Sequence, residues 1–185
     1  MSRAGPALVK GRSCGTCTLC CKVLAIPEVP TPRDQWCRHC RPGEGCGIYE
    51  QRPEPCRTFH CGYLLWDVVP DHWFPARSKI VIVNELGMRL NFYVDSSAPG
   101  RWREAPWYNE IKAMAVMAFG HGQQVLVTAG RKVTAMLPDR EVELGVVGEH
   151  EIVITGRRPD GTWGAAKLDK DDPRMALGGA TVPLL

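Results

Sequence analysis

The cysteines constrain this chain more than any other feature of its sequence. All nine lie within residues 14–61, and no cysteine follows. The segments between them are too short for long helices or strands, so regular structure cannot supply most of the core there. Metal ions held by thiolates can hold such a segment together. We therefore predict a cysteine-cluster metal-binding region at 1–78, a small α+β region at 79–168 and a flexible tail at 169–185.

Two pairs of cysteines have the spacing of a zinc site. Cys14 and Cys17 form a C-x2-C step, and so do Cys37 and Cys40. Such a step lets two thiolates reach one ion from a single tight turn, and the length of the segment between the steps is typical of a four-cysteine zinc site. This spacing predicts zinc bound by these four cysteines.

An iron-sulfur cluster is an alternative that uses the same part of the chain. Cys14, Cys17 and Cys20 form C-x2-C-x2-C, which is the opening of a ferredoxin-type run. The closing Cys-Pro of that run is absent, because Pro55 precedes Cys56 instead of following it. A distant cysteine could still supply the fourth ligand, so both metals stay open.

The adjacent residues Cys20 and Cys21 indicate more than one position for metal. Neighbouring side chains in extended backbone point to opposite faces, so these two thiols cannot easily meet the same ion. In a short helix, Cys17 and Cys21 would share a face while Cys20 would lie to one side. Eight thiolates arranged in this way predict two sites or one polynuclear site.

The positive charge of the chain is concentrated beside the cysteines. Residues 1–70 hold nine Lys or Arg and six Asp or Glu, whereas residues 71–185 hold fourteen of each. A dication held by four thiolates has a net negative charge that nearby cations must compensate when the site is partly buried. The cations that the sequence places near the cysteines are Lys22, Arg38, Arg41, Arg52 and Arg57.

Composition argues against several kinds of protein. A formal net charge of only +3 disfavours non-specific binding to nucleic acid. No run approaches the roughly 18 apolar residues that span a bilayer, and the apolar part of residues 1–10 is too short and broken for a signal-peptide core. We therefore expect a cytoplasmic protein without membrane contact. That compartment and the odd number of cysteines argue against disulfides, the main rival to metal binding.

Residues 79–168 predict regular structure. Lys79 to Val83 and Met88 to Asp95 are predicted to form a hairpin, because both segments are rich in strand-forming residues and a turn sequence joins them. The return strand alternates, as a strand with one buried side requires. The side chains predicted to share that buried side are Met88, Leu90, Phe92 and Val94.

One helix and further strands complete the predicted fold. An amphipathic helix is predicted from Pro106 to Phe119. Four more strands are predicted at Gln124 to Thr128, Lys132 to Leu137, Glu151 to Arg157 and Thr162 to Leu168. The predicted class is α+β, with an irregular cysteine-rich N-terminal region packed on a small, mostly antiparallel sheet with one main helix. The side chains predicted to pack around the cysteines are Trp36, Tyr49, Phe59, Leu64, Leu65 and Trp66.

Two blocks of the sequence resemble a known family. The first is Cys14-Gly-Thr-Cys17-Thr-Leu-Cys20-Cys21, and the second runs Gly45-Cys46-Gly-Ile48-Tyr49-Glu50-Gln-Arg52-Pro53-Glu-Pro-Cys56-Arg57-Thr-Phe59-His-Cys61. Both are similar to the CxxCxxCC, or YkgJ-like, family of zinc- or iron-chelating proteins, and the likeness covers roughly residues 13–66. The second block is long enough that chance agreement is remote.

The resemblance implies a set of eight metal-binding cysteines. The set is Cys14, Cys17, Cys20, Cys21, Cys37, Cys46, Cys56 and Cys61. Cys40 is left outside it, which conflicts with the four-cysteine zinc set predicted from spacing. His39 and His60 each flank a cysteine, and we expect them to support ligands or to lie at the surface rather than to bind metal.

The resemblance implies a metal-binding protein whose zinc or iron-sulfur cluster is structural or serves metal handling. An alternative is an iron-sulfur redox or protein-modifying enzyme or its accessory, since related cysteine clusters occur in proteins resembling flagellin lysine methylases. A zinc-ribbon-like nucleic-acid module is a third alternative, which the low net charge disfavours. Whether the chain is an enzyme stays open, because residues 79–168 resemble no catalytic domain. A metal ion is the partner that the sequence indicates.

Overall fold

The computed structural model describes residues 6–26, 28–173 and 184. Most of the tail predicted at 169–185 lies outside these residues. Over the part of the chain that the structure describes, the strands are β1 (Cys40–Arg41), β2 (Gly45–Cys46), β3 (Ile80–Glu85), β4 (Arg89–Val94), β5 (Gln124–Ala129), β6 (Lys132–Met136), β7 (Glu141–Val146), β8 (Glu151–Arg157) and β9 (Trp163–Asp169). The α-helices are α1 (Cys20–Val23), α2 (Glu54–Thr58), α3 (Gly62–Leu65), α4 (Pro75–Ser78) and α5 (Trp107–Gly120).

A five-stranded sheet in the order β3-β4-β5-β6-β7 forms the centre of the fold. Its neighbours are antiparallel except for β4 and β5, which are parallel and are connected through α5. A parallel pair needs such a crossover connection, whereas antiparallel pairs can be joined by tight turns. The predicted α+β class, the mostly antiparallel sheet and the hairpin of β3 and β4 are confirmed.

Strand β7 was not among the predicted strands. Its sequence alternates charged Glu141 and Glu143 with Val142 and Leu144, and only the two apolar residues are buried. This is the pattern of a strand with one side in solvent. The charged residues and Gly145 weaken the local signal, and pairing with β6 secures the strand.

Helix α5 covers one face of the sheet, as its predicted amphipathic pattern requires. Ile111, Ala115 and Ala118 are buried against the sheet, one helical turn apart or nearly so. The helix begins at Trp107, directly after Pro106, and ends at Gly120. In this layer the main core also contains Trp73 and Phe92, whose rings lie 5.6 Å apart.

Strand β4 is buried on both sides, so the prediction of a single buried side was wrong. Leu90, Phe92 and Val94 lie in the main core under α5, as predicted. Tyr93 on the opposite side is only 8% exposed and packs against the cysteine-rich region. Met88 is 64% exposed, because it precedes the first residue of the strand.

Two parts of the chain share the second face of the sheet. The β8–β9 hairpin covers the far half, where Val153 and Ala165 pack with residues of β5, β6 and β7. The cysteine-rich region covers the near half, where Leu19, Val23 and Leu64 pack on Val81 and Tyr93. The sheet therefore fixes the position of the cysteines from below.

The cysteine-rich region has a smaller core than the sequence predicted. Leu64 is buried, and Phe59 packs partly buried beside it. Trp36 and Tyr49 are 41% and 58% exposed, so they do not enclose the cysteines as predicted. Trp66 packs against the core under α5 instead. No helix in the described ranges is long and apolar enough to cross a membrane.

Gly62 lies at the contact between this region and the sheet. A Cβ atom at Gly62 would come within 2.5 Å of a ring atom of Trp66 and within 3.0 Å of the Cβ of Ile82. Ile82 is buried in the main core, so the strand has no free space into which to move. The absence of a side chain at this position allows α3 to lie directly on β3.

We expect Gly62→Ala to lower the free energy of unfolding by about 1 to 3 kcal/mol, because overpacking displaces Trp66 or α3. Gly100→Ala is the matched control, since nothing lies within 4 Å of its Cβ position, and it should change stability by less than about 0.5 kcal/mol. Urea denaturation followed by tryptophan fluorescence measures both variants. Equal stabilities would contradict the tight contact.

Candidate metal centre

All nine cysteines line one cavity of about 790 Å³ in the N-terminal region. None of them is in a disulfide. They reach the cavity from separate parts of the chain, which lie in residues 14–21, 37–46 and 56–61. The predicted eight-cysteine set and the predicted four-cysteine zinc set are therefore both brought to the same place.

The first segment supplies four thiols through a turn and a short helix. The amide of Cys17 donates to the carbonyl of Cys14 at 2.8 Å, which closes the first C-x2-C step into a tight turn. Cys20 and Cys21 follow in α1. Leu19 and Val23 on either side of them are buried against the sheet, and this anchors the helix that carries the adjacent cysteines.

The second segment is hydrogen-bonded to the first. The amide of Cys37 donates to the carbonyl of Cys21 at 2.9 Å, and the amide of Gly43 donates to Thr18 Oγ1 at 3.1 Å. The amide of Cys40 donates to the carbonyl of Cys37 at 2.8 Å, so the second C-x2-C step has the same turn as the first. Cys40 then pairs with Cys46 across the two-stranded ladder of β1 and β2.

The third segment places one thiol within α2 and the other directly before α3. Cys56 lies in α2, whose start is fixed by Pro53 and Pro55. Cys61 is the residue before α3, and it is the buried member of the nine. It packs with Leu64 and Val81 at the floor of the cavity. This contact joins the cysteines directly to the central sheet.

Several of the thiols are crowded together. The Cys21 thiol contacts the thiols of Cys20 and Cys40, and Cys40 also contacts the side chain of Thr18. Hydrogen bonding to Cys20, followed by burial, raises the pKa of Cys21 well above its ordinary value. Burial and the proximity of Cys21 raise the pKa of Cys40 to about 12. These thiols are therefore protonated near neutral pH when no cation is bound.

Burial has the same effect on the thiols around this group. It is the largest cause of the raised pKa of Cys17 and Cys56, and it raises the pKa of Cys61 to about 11. A thiol must lose its proton to become a metal ligand, so metal binding at this cavity would release protons.

The donor chemistry of the cavity fits a thiophilic metal. Thiolate sulfur is the ligand type of structural zinc and of iron-sulfur clusters. However, across residues 6–26, 28–173 and 184, no group of three or more His, Cys, Asp or Glu side chains is arranged to hold a metal ion. The cysteine sulfurs therefore line the same cavity, but they would have to move closer together to bind a cation.

Arginines supply most of the charge of the cavity wall. Arg41, Arg52 and Arg57 line it, as the sequence predicted. The guanidinium of Arg52 lies 3.5 Å from the centre of the Tyr49 ring, and its Nε donates to the Tyr49 carbonyl at 2.8 Å. This fixes a positive charge near the thiols. Glu44 is the carboxylate among the lining residues.

Arg12 is a further lining cation that sequence reasoning missed. One terminal nitrogen, Nη1, donates to the carbonyls of Tyr63 and Trp66 at 2.8 and 3.0 Å, and Nη2 donates to the carbonyl of Val69 at 2.7 Å. These bonds fasten the chain just before Cys14 to the end of α3. Its partners, which include the carboxylate of Asp71 at 3.5 Å, lie more than 50 residues away, so no sequence pattern could have indicated them.

Two of the predicted charge-compensating cations are placed elsewhere. Arg38 is exposed. Lys22 forms an ion pair with Asp95, with 2.5 Å between Nζ and Oδ1, and the Asp95 side chain is only 7% exposed. The amide of Ser97 also donates to Oδ1 of Asp95, at 2.9 Å. Lys22 therefore ties α1 to the end of β4 instead of lining the cavity.

The two histidines that flank cysteines also line the cavity. His60 Nδ1 lies 3.0 Å from the carbonyl oxygen of Thr58. His39 is partly buried, and its carbonyl accepts a hydrogen bond from Gly47 at 2.7 Å. The predicted supporting role of these imidazoles stays a prediction.

No family model, no curated protein and no solved structure matches this chain. The resemblance of residues 13–66 to the CxxCxxCC family therefore stays a prediction. The assignment of a function depends on the cavity and on the chemistry of its lining residues.

The ion pair of Lys22 and Asp95 predicts a specific dependence of stability on pH. Burial alone would raise the pKa of Asp95, but the hydrogen bonds from Lys22 and Ser97 outweigh it and lower the pKa. A carboxylate with a lowered pKa in the folded state stabilises the fold above its ordinary pKa of 3.8, and that contribution is lost as the pH falls below this value.

We expect Asp95→Asn to lower the free energy of unfolding at pH 7 by roughly 3 kcal/mol, because it leaves the Lys22 ammonium, on a side chain that is only 13% exposed, without its partner. The difference from the unchanged protein should shrink as the pH falls below 3.8. Thermal unfolding between pH 7 and pH 2.5 measures this. Asp67→Asn, at an exposed position, is the control, and a pH-independent difference for Asp95→Asn would contradict the assignment.

Proposed function

We propose that this protein binds metal through the thiolates of its N-terminal cavity, as zinc or as an iron-sulfur cluster. The ligand set is the one that the family resemblance implies: Cys14, Cys17, Cys20, Cys21, Cys37, Cys46, Cys56 and Cys61. The observation that carries the proposal is the gathering of every cysteine in the chain around one cavity, with all of them free. Inert thiols have no reason to be collected in this way.

A structural role for the metal follows from the weak core of this region. Its larger aromatic side chains at positions 36 and 49 are exposed, and its buried apolar residues serve mainly to attach it to the sheet. Bound metal would supply cross-links between segments that are otherwise joined by a few backbone hydrogen bonds. The same site would serve metal handling if the metal exchanges through the open side of the cavity.

A cytoplasmic location belongs to this proposal. Reducing conditions keep thiols free for metal, whereas an oxidising compartment would convert them to disulfides. The expected location and the ligand chemistry therefore agree.

A redox or protein-modifying role for an iron-sulfur cluster is the second candidate function. Two observations favour it. The cavity of about 790 Å³ is larger than one ion requires, and Cys14 at its edge is exposed. A cluster that is partly exposed can exchange electrons with a partner, whereas a fully enclosed site cannot do so readily.

The test is to purify the protein without oxygen, record its visible spectrum, and count metal and labile sulfide per chain. Brown protein with iron and sulfide supports the redox candidate over zinc. Colourless protein with tightly held zinc supports the structural or metal-handling role. Stringently reduced protein that binds neither zinc nor reconstituted iron-sulfur would overturn the proposal.

Removal of the metal should act on one part of the molecule. We expect a chelator to speed amide hydrogen exchange in residues 14–61 by at least tenfold, because the cross-links there are lost. Exchange in β5 and β6, which lie in the central sheet and hold no cysteine, is the internal control and should change little. Uniform exchange with and without chelator would contradict a structural role for the metal.

A further inference from the structure

The cavity contains one thiol more than the eight that the resemblance assigns to metal. Cys40 is the ninth, and it lines the same cavity as the others. Its thiol contacts the Cys21 thiol, which belongs to the set of eight. An idle cysteine would be expected to face away from the ligands or to lie in an apolar core.

The backbone around Cys40 holds it in this position. The turn from Cys37, the ladder partner Cys46 and the bond from Gly43 to Thr18 fix the loop against the first segment. The partners Cys37 and Cys46 are both members of the set of eight. Cys40 therefore contacts proposed ligands through its backbone, at Cys37 and Cys46, and through its thiol, at Cys21.

Cys21 joins thiols of two cysteine segments. Its thiol contacts those of Cys20, in the first segment, and Cys40, in the second. A thiolate with neighbours on several sides is well placed to bind more than one ion.

The number of ligands that each ion needs shows what a ninth thiolate would change. Eight thiolates complete two four-coordinate ions with none left over. Three such ions need more sulfur positions than nine thiols can supply singly, so three ions on nine thiolates require some thiolates to be shared. Twelve metal–sulfur bonds on nine thiolates require three thiolates that each bind two ions, and Cys21, which contacts two other thiols, is placed to be one of the three.

The charges of the wall have the sign that a thiolate centre requires. Nine thiolates and three dications carry a net charge of −3. Four arginines and one glutamate line the described cavity, Arg12, Arg41, Arg52, Arg57 and Glu44, and together they carry +3. Arg41, Arg57 and Glu44 are exposed and Arg12 also lies 3.5 Å from Asp71, so this positive wall offsets part of the negative charge of the centre but does not set the number of ions.

We propose that Cys40 is a ninth metal ligand and that Cys21 is one of three thiolates shared between ions, so that the nine thiols hold one polynuclear centre of about three divalent ions. The proposal rests on the metal-binding function proposed above. It concerns the number and connection of the ions, and not only the presence of metal.

The experiment is to load the reduced full chain with Zn²⁺ or Cd²⁺ and to count ions per chain by native mass spectrometry. We expect about three ions in the unchanged protein and about two in Cys40→Ser, since eight thiolates close two four-coordinate sites. Arg38→Ser is the matched control, because it changes the same loop at an exposed position, and its count should equal that of the unchanged protein. With ¹¹³Cd, coupling between cadmium signals should show that thiolates are shared.

Each other outcome has a distinct meaning. Two ions in both the unchanged protein and Cys40→Ser would overturn the ninth-ligand proposal and leave metal binding intact. Iron with labile sulfide in native protein would overturn the shared thiolate, because inorganic sulfide would then connect the metals. No bound metal at all would overturn the proposed function itself.

A measurement on the unchanged protein keeps the test independent of how the variant folds. Metal-loaded and chelator-treated samples are alkylated with N-ethylmaleimide and mapped by peptide mass spectrometry. We expect Cys40 to be protected in the loaded sample as fully as Cys37 and Cys46, and to react after chelation. Equal alkylation of Cys40 in both samples would overturn its role as a ligand.

Discussion

The packing of the cysteine-rich region on the central sheet is the constraint on which the rest of the site depends. That region has too few buried apolar residues to fold alone, and it gains its position from Leu19, Val23 and Leu64 on Val81 and Tyr93. Burial of a few such side chains stabilises by about 1.5 to 3 kcal/mol each at most. The absence of a side chain at Gly62 allows the same close approach. The floor of the cavity is thus well packed against the sheet, whereas the rest of its wall has few buried apolar residues.

Hydrogen bonds and ion pairs then locate the individual segments on this floor. Arg12 attaches the chain before the first cysteine, and Lys22 attaches α1 to the end of β4. Each cation is satisfied by groups far along the chain. In consequence these contacts position the cysteine segments around the cavity, which lowers the entropy that binding a ligand would cost.

Periodicity predicted most of the regular structure, and long-range contacts account for what it could not predict. The hairpin of β3 and β4, the helix α5 and four further strands follow from local alternation and turn residues. The parallel pairing of β4 with β5 leaves no local trace, because it depends on where α5 returns the chain. Burial of Tyr93 had the same cause: its side of β4 is covered by a part of the chain that a strand pattern does not reveal. At the site, the grouping of cysteines could be predicted from their number, whereas the roles of Arg12 and of the contact between Cys21 and Cys40 required the fold.

The order of the chain has a consequence for how the cavity is built in the cell. The cysteines precede β3 and β4, so they leave the ribosome before the strands that form their floor. At the usual rate of synthesis of about 5 to 20 residues per second, the delay is on the order of a few seconds. During that interval the nascent thiols lack a platform and are open to oxidation or to capture by a competing ion. The metal present during translation therefore meets these thiols before the central sheet has folded beneath them.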